Sequence, residues 1–144
     1  MSMSKLNDYL SVPSAFTTGG ITETQVTTTA DQESATFADM RDYEQAMLVL
    51  LVLDYDVDTG GNSNTLTLSA IEATDSSGTS AQLVSGQSTA EASADDATAV
   101  VCVTADMMDT TDDMRYIGAR VESDGTDKHD FAVLCIRGEP KYTP

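Results

Sequence analysis

Apolar residues along this chain form short runs, and polar stretches rich in Thr, Ser, Asp and Gly separate them. The strongest run, Ala46–Asp54, is apolar at nearly every position, so we predict a central strand that is covered on both faces. Thr65–Thr74 begins with strict alternation, in which Leu66 and Leu68 share one side. This alternation predicts a strand with one buried face.

Six more segments have the composition or the alternation of strands: Val26–Thr29, Ser34–Ala38, Ala81–Ser85, Thr98–Thr104, Met114–Ser123 and Asp130–Arg137. We predict that Asp39–Gln45 is a polar connection, that Gly86–Asp96 is an exposed loop, and that Asp56–Asn64 and Asp124–Asp127 close hairpins. No segment has a long helical period, which argues against alternating strands and helices. About eight strands predict an all-β fold, a two-sheet antiparallel sandwich of the jelly-roll or a related Greek-key type.

A chain of 144 residues is long enough for one domain with a single core. We predict an N-terminal arm over residues 1–25 and a β-sandwich domain over residues 26–144. The arm contains a possible short helix at Ser4–Leu10, then Pro13, and too little apolar surface for a core of its own. It either wraps its own sandwich, reaches a neighbouring subunit, or is a loosely docked terminus.

The charge balance excludes two classes of partner. Seven Lys and Arg against 24 Asp and Glu give a net charge of −17, which repels phosphate backbones and anionic membranes. We therefore expect no nucleic-acid and no membrane partner. A solvated acidic surface or a basic protein partner both fit this composition. The longest apolar run is too short to cross a bilayer, and the start has no signal-peptide pattern, which predicts a protein made in the cytoplasm.

Residues that could carry chemistry are few, and no catalytic, cofactor-binding or metal site is predicted. His129 falls in a predicted turn, where a solvated side chain is expected. Asp54, Asp56 and Asp58 alternate like the opening of a calcium loop, but Thr occupies the later positions that need Gly and Glu, so hydrated acids are the simpler interpretation. No nucleotide-binding, zinc-protease or nucleophile motif is present, which argues against an enzyme and against a cofactor.

The two cysteines, Cys102 and Cys135, lie in predicted strands, so we expect buried free thiols. A cross-strand disulfide between them is the alternative. A second acidic group, Asp106–Asp109 with Asp112 and Asp113, is expected to form a negative loop surface. One of its acids could pair with Arg115 or Arg120.

The segment Met114–Val121 (MRYIGARV), followed by Phe131–Gly138 (FAVLCIRG), resembles the closing hairpin of small virion proteins of tailed phages. A short arm, a Thr-rich opening, the apolar strand Leu48–Leu53 and a TLTL strand fit the same pattern. The family that this pattern resembles is the capsid cement or decoration proteins of podovirus-type phages, which are small jelly rolls. The likeness is one of strand patterns and covers roughly the last two-thirds of the chain.

The resemblance implies a virion structural protein that is made in the host cytoplasm and binds the outside of the major capsid protein shell as dimers or trimers. Acidic loops such as Glu91–Asp96 and Asp106–Asp113 then either face solvent or meet basic patches of the capsid. A function from another class stays open, namely a carbohydrate-binding or adhesion sandwich from a head fibre or a tail. Aromatic residues are 6% of the chain and Trp is absent, so stacking platforms for sugars are scarce.

Overall fold

The computed structural model of the chain describes residues 10–11, 32–34, 36–55, 65–123 and 129–140. These residues form strands with one short 3-10 turn, Ala105–Met107. The strands are β1 (Leu10–Ser11), β2 (Gln32–Glu33), β3 (Ala38–Asp39), β4 (Tyr43–Tyr55), β5 (Leu66–Ala73), β6 (Gln82–Leu83), β7 (Ala90–Ala92), β8 (Thr98–Thr104), β9 (Tyr116–Ser123) and β10 (His129–Pro140). The predicted all-β class is confirmed.

The strands form two antiparallel sheets. Sheet A has the order β1–β10–β4–β8, and its long central pair is β4 with β10. Sheet B has the order β2–β9–β5–β6, with β3 also paired to β9 and β7 also paired to β5. Since β2 and β3 share one side of β9, and β6 and β7 share one side of β5, each sheet has four strand positions.

The pairing is nested along the chain, and this nesting defines the fold. β5 pairs with β6 and β7, β4 with β8, β2 and β3 with β9, and β1 with β10. Each successive pair encloses the previous one along the chain. The first and second halves of the chain therefore pair antiparallel along their length, and this long double strand is wrapped into two facing sheets. This is the eight-position jelly roll, and the predicted sandwich of this type is confirmed.

The core fills the space between the sheets, where alternate side chains of the central strands of both sheets point inward. On sheet A the buried side chains include Leu48, Leu50, Val101 and Phe131, and on sheet B Leu68 and its neighbours meet them. In β9 the buried members are Ile117, Ala119 and Val121, as the alternation predicted. The interior is thus apolar and packed from both sides.

A second, smaller apolar cluster lies on the outer side of sheet B. Phe37, in the link between β2 and β3, covers Ile71 and Ala73 there. The Phe37 ring also lies directly over Gly118, where an added Cβ would be 2.6 Å from a ring carbon. The backbone N–H of Phe37 donates to the Ser76 carbonyl at 2.9 Å, which holds this link on the sheet. This side of sheet B is therefore partly closed.

Both predicted hairpins are wrong. β4 belongs to sheet A and β5 to sheet B, so residues 56–64 connect two sheets and do not close a hairpin. The same holds for residues 124–128, which connect β9 of sheet B to β10 of sheet A. A hairpin pairs strands that are neighbours in sequence, whereas in a jelly roll the nested partner lies elsewhere in the chain.

Several predicted boundaries also differ. The predicted strand Ser34–Ala38 is two short strands, Gln32–Glu33 and Ala38–Asp39, because the link between them turns aside to seat Phe37. The predicted loop Gly86–Asp96 contains β7, the polar connection before Ala46 is partly strand, and the predicted strand Ala81–Ser85 is reduced to β6. Val26–Thr29 and most of the arm lie outside the described residues, although Leu10, predicted as helix, pairs with Gly138. The domain boundary stays a prediction.

In the parts of the chain that the structure describes, no helix is long and apolar enough to cross a membrane.

Candidate assembly surface

The outer side of sheet A has a regular array of uncharged side chains. Three cross-strand rows follow from the register: Ile136–Met47–Cys102, Leu134–Val49–Val100 and Ala132–Leu51–Thr98. All nine belong to alternate positions of β10, β4 and β8, and their neighbours in sequence point into the core. We call these nine residues the apolar face.

The apolar face is open to solvent at several points in the described chain. Leu51 is 38% exposed and Val100 46%. Beyond Leu51, Leu53 is 53% exposed and has no partner on β10, because the register shifts there. Strand spacings of about 4.8 Å and a rise of about 3.4 Å per residue give this array an area of roughly 300 Å². Isolated exposed apolar residues are ordinary, but a contiguous patch of this size typically marks a contact site.

A shallow groove lies at one end of the apolar face. It has a volume of about 200 Å³ and is lined by Gln45, Ala46, Met47, Cys102, Ile136 and Gly138. The groove forms because Gly138, paired with Gln45, has no side chain and leaves a gap beside Ile136. The opposite end of the face carries the protruding side chain of Leu53.

The prediction that Ala46–Asp54 is covered on both faces is wrong for the described chain. One side of the strand is buried through Ala46, Leu48, Leu50 and Val52, and the other side is the apolar face. The unbroken apolar run correctly indicated that both sides of the strand are apolar. It could not indicate whether the second side is covered.

Acidic residues are exposed in loops and strand ends of both sheets. Asp54, at the end of β4, is exposed, as are Glu91, Asp95, Asp96, Asp112 and Asp113. Asp95 accepts the backbone N–H of Tyr55 at 2.7 Å and so fastens the β7–β8 loop to the end of β4. Asp109 is half-buried and accepts the Thr111 N–H at 2.8 Å. The predicted negative loop surface is therefore present, and part of it stabilises turns.

Arg120 pairs with an acid outside the Asp106–Asp113 segment that the sequence suggested. Its guanidinium contacts the Glu33 carboxylate at 2.6 Å and joins β9 to β2 on the outer side of sheet B. Arg115 donates to the Tyr116 hydroxyl at 3.1 Å. That hydrogen bond raises the pKa of the Arg115 guanidinium above its ordinary value.

His129 is not a solvated turn residue. It is the first residue of β10, it is fully buried, and its ring stacks on Tyr55 with centroids 4.7 Å apart. The prediction failed because the Asp- and Gly-rich segment before His129 has the composition of a turn, and composition does not mark where the turn ends. The register places His129 opposite Tyr55 within sheet A.

The expectation of two buried thiols holds for Cys135 and fails for Cys102. Cys102 is exposed in the row that it shares with Met47 and Ile136, whereas Cys135 is in the core. A disulfide between them is excluded, because β4 lies between β8 and β10 and the two side chains occupy opposite sides of sheet A. Burial raises the pKa of the Cys135 thiol to about 12.

Metal-binding geometry is not found among the described residues, where no three His, Cys, Asp or Glu side chains are grouped closely enough to hold an ion. Asp56 and Asp58 lie outside the described residues, so the calcium pattern stays untested. Glu72 is a buried carboxylate, and it accepts the Asp109 N–H at 2.8 Å and the Gln82 amide at 3.1 Å. These bonds anchor the loop after β8 to sheet B, so Glu72 has a structural role.

Comparison with known proteins was made on sequence and on structure. No protein-family model matches the sequence, and no curated protein matches it. Among solved structures, the CBM22-1–GH10 modules of xylanase 10B from Clostridium thermocellum, complexed with xylohexaose, are similar at 12% identity with a TM-score of 0.46. The match covers 79% of this chain and 20% of that chain, so this protein spans a fifth of the xylanase polypeptide.

Two further similar structures are virus particles. A chain of Cocksfoot mottle virus matches at 13% identity and a TM-score of 0.39 over 94% of both chains. A chain of Broad Bean Stain Virus matches at 9% identity and a TM-score of 0.38, over 76% of this chain and 64% of that one. The jelly-roll assignment rests on the nested strand order described above.

Proposed function

We propose that this protein is a virion structural component that binds the outside of a capsid shell and stabilises it, as a cement or decoration protein. The observation that carries the proposal is the apolar face: a filled sandwich with a net charge of −17 keeps one broad, uncharged sheet surface accessible. Such a division between an apolar contact area and a solvated acidic exterior suits a subunit of an assembly.

The strand pattern of Met114–Val121 and Phe131–Gly138 supports this choice among assembly proteins. Its two strands, β9 and β10, lie in different sheets, so the likeness is one of strand sequences and not of a hairpin. Many symmetry-related copies add modest contacts into a large total resistance to pressure inside a shell. The proposal therefore needs no deep pocket and no catalytic group in the described chain.

The alternative proposal, a carbohydrate-binding or adhesion sandwich, has weaker support. Sugar binding commonly uses open aromatic rings, and in the described part of the chain three half-buried tyrosines could offer them. Each is already in contact with a side chain of its own chain: Tyr43 lies under Arg137 at 4.3 Å, Tyr55 stacks on His129, and Tyr116 lies beside Arg115.

Native particles from the source of this sequence test the proposal. We expect the chain to be present at a fixed, high number of copies per shell, measured by mass analysis or cryo-electron microscopy. Shells stripped of it should break at a lower temperature and regain their resistance when the purified chain is returned. Absence from the particles, together with retention of the isolated protein on a glycan array, would support the carbohydrate-binding alternative instead.

A further inference from the structure

We infer that the apolar face binds the same face of a second copy of this chain, in a two-fold dimer with the β4 strands antiparallel across the interface. This goes beyond the proposed function, since it assigns the partner of one surface and the geometry of the contact. In this dimer the apolar face is the contact between copies, and a shell would be bound by the remaining surfaces of the dimer. The dimer is tested on the isolated protein and attachment on native particles, so either can fail while the other holds.

Charge leaves the apolar face as the surface through which two copies can meet. Two molecules that each carry −17 repel one another wherever their acidic loops meet, because like charges brought into contact oppose association. In the described chain, the nine residues of the apolar face include no ionisable acid or base other than the thiol of Cys102. Contact there leaves the carboxylates at the rim, where water and salt screen them.

Shape also favours a second copy. On β4, Leu53 and Gln45 lie four residues on either side of Val49, which is about 14 Å in each direction. A two-fold axis that passes near Val49, in the plane of the face and across the strands, places Leu53 of one copy over the groove beside Gln45 of the other. The protruding side chain and the gap at Gly138 are thus complementary parts of one self-matching surface.

The size of the face suits the centre of such an interface. Stable dimers commonly bury about 800 Å² per partner, with an apolar centre and a polar rim. The apolar face supplies roughly 300 Å² of this. Polar residues next to the face, Gln45 and Thr104 among them, lie at its border and extend the contact. Face-to-face packing of two sheets about 10 Å apart is a standard arrangement of antiparallel sheets.

Cross-linking tests the geometry directly. In the Leu53→Cys variant, we expect a short bis-maleimide to join the introduced thiol of one copy to Cys102 of the other. Within one chain these positions are separated by about six residues of strand, roughly 20 Å, which the reagent cannot span. The controls are the wild type, the Leu53→Cys/Cys102→Ser double variant, and Glu91→Cys on sheet B. None of the three should form the cross-linked dimer efficiently.

A charge placed in the middle row tests the energetics. We expect wild-type protein to have the mass of two chains by light scattering, and added sodium chloride to tighten the dimer. Leu134→Glu should weaken dimerisation more than 100-fold, because two unpaired carboxylates would be buried. Leu83→Glu, the same change at an exposed residue of sheet B, should leave it unchanged.

Three outcomes would overturn the inference. The first is a single-chain mass for the wild type at all concentrations, as when the chain's own arm covers the face. The second is a dimer that Leu134→Glu does not weaken. The third is a dimer of the Leu53→Cys variant in which the introduced thiol does not link to Cys102. Circular dichroism and thermal unfolding of each variant establish that the sandwich is intact.

Discussion

At the scale of single residues, the contact between Phe37 and Gly118 is the tightest of those described around the glycines of the sheets. A Cβ at position 118 would lie 2.6 and 2.7 Å from two carbons of the aromatic ring. The ring is rigid and buried on sheet B, so it cannot yield as a flexible side chain would. We expect Gly118→Ala to lower the free energy of unfolding by about 1–3 kcal/mol, measured by urea denaturation.

A double variant separates this clash from other effects of the substitution. Phe37→Leu shortens the side chain over Gly118, so adding Gly118→Ala to it should cost much less than adding it to the wild type. An equal cost in both backgrounds would mean that the ring is not the obstacle.

Asp75 gives a pH-dependent contribution to stability. Its carboxylate accepts hydrogen bonds from Thr79 and then from Ser77, and these hold its pKa well below the ordinary value. A lowered pKa in the folded state means stabilisation that is complete above the unfolded pKa, near 4, and is lost as the pH falls towards the folded value. The melting temperature of Asp75→Asn should therefore lie furthest below wild type at neutral pH and converge with it in acid.

Cys135 should not react while the sandwich is folded. Its burial and its raised pKa, about 12, leave very little accessible thiolate at neutral pH. In a Cys102→Ser variant, a thiol reagent should label the chain only at the rate of unfolding. Mass spectrometry measures the labelling rate across a denaturant series. A labelling rate above the unfolding rate would contradict the buried placement of Cys135.

At the scale of strands, β4 has two faces with different energetic roles. Leu50 is fully buried, whereas Leu51, the next residue, lies on the apolar face. We expect Leu50→Ala to cost about 2–5 kcal/mol and Leu51→Ala less than about 1 kcal/mol, measured by denaturation at low protein concentration. Equal costs would mean that the second face is also covered within one chain.

The strands themselves were largely predictable, and the pairing was not. Alternation in residues 65–74 and 114–123 and the apolar runs around Leu50 and Val101 come from local sequence, which a period of two reveals. Pairing in a jelly roll is non-local, and the turn residues at 56–64 and 124–128 suit a change of sheet as well as a hairpin. Two-residue strands such as β2 and β6 exist because a neighbouring strand holds them, a cause that lies outside their own sequence.

The candidate surface was predictable only in its composition. The apolar run at 46–54 and the acidic segments were visible, but the row that joins Met47 to Cys102 and Ile136 requires the register of three strands. His129 was misplaced for the same reason, since its burial depends on the stacking partner Tyr55, far earlier in the chain. Contacts between distant segments leave no local signature in a single sequence.

At the scale of the whole molecule, the net charge of −17 opposes compactness. Salt screens this repulsion, so we expect the melting temperature of the monomeric Leu134→Glu variant to rise as sodium chloride increases from low to moderate concentration. An equal concentration of a neutral osmolyte provides the comparison. A melting temperature that is constant or falls with salt would mean that attractive ion pairs such as Arg120–Glu33 outweigh the repulsion.

The nested pairing also determines when the apolar face can exist. Two of its three strands, β4 and β8, are synthesised before β9, but the third, β10, follows every other strand of both sheets. In the nascent chain, sheet A is therefore incomplete, and the edge of β4 that later pairs with β10 is unpaired. The dimer-forming surface is complete only after both sheets have been translated, so neighbouring nascent chains on one messenger RNA cannot dock through it while their sandwiches are still unfinished.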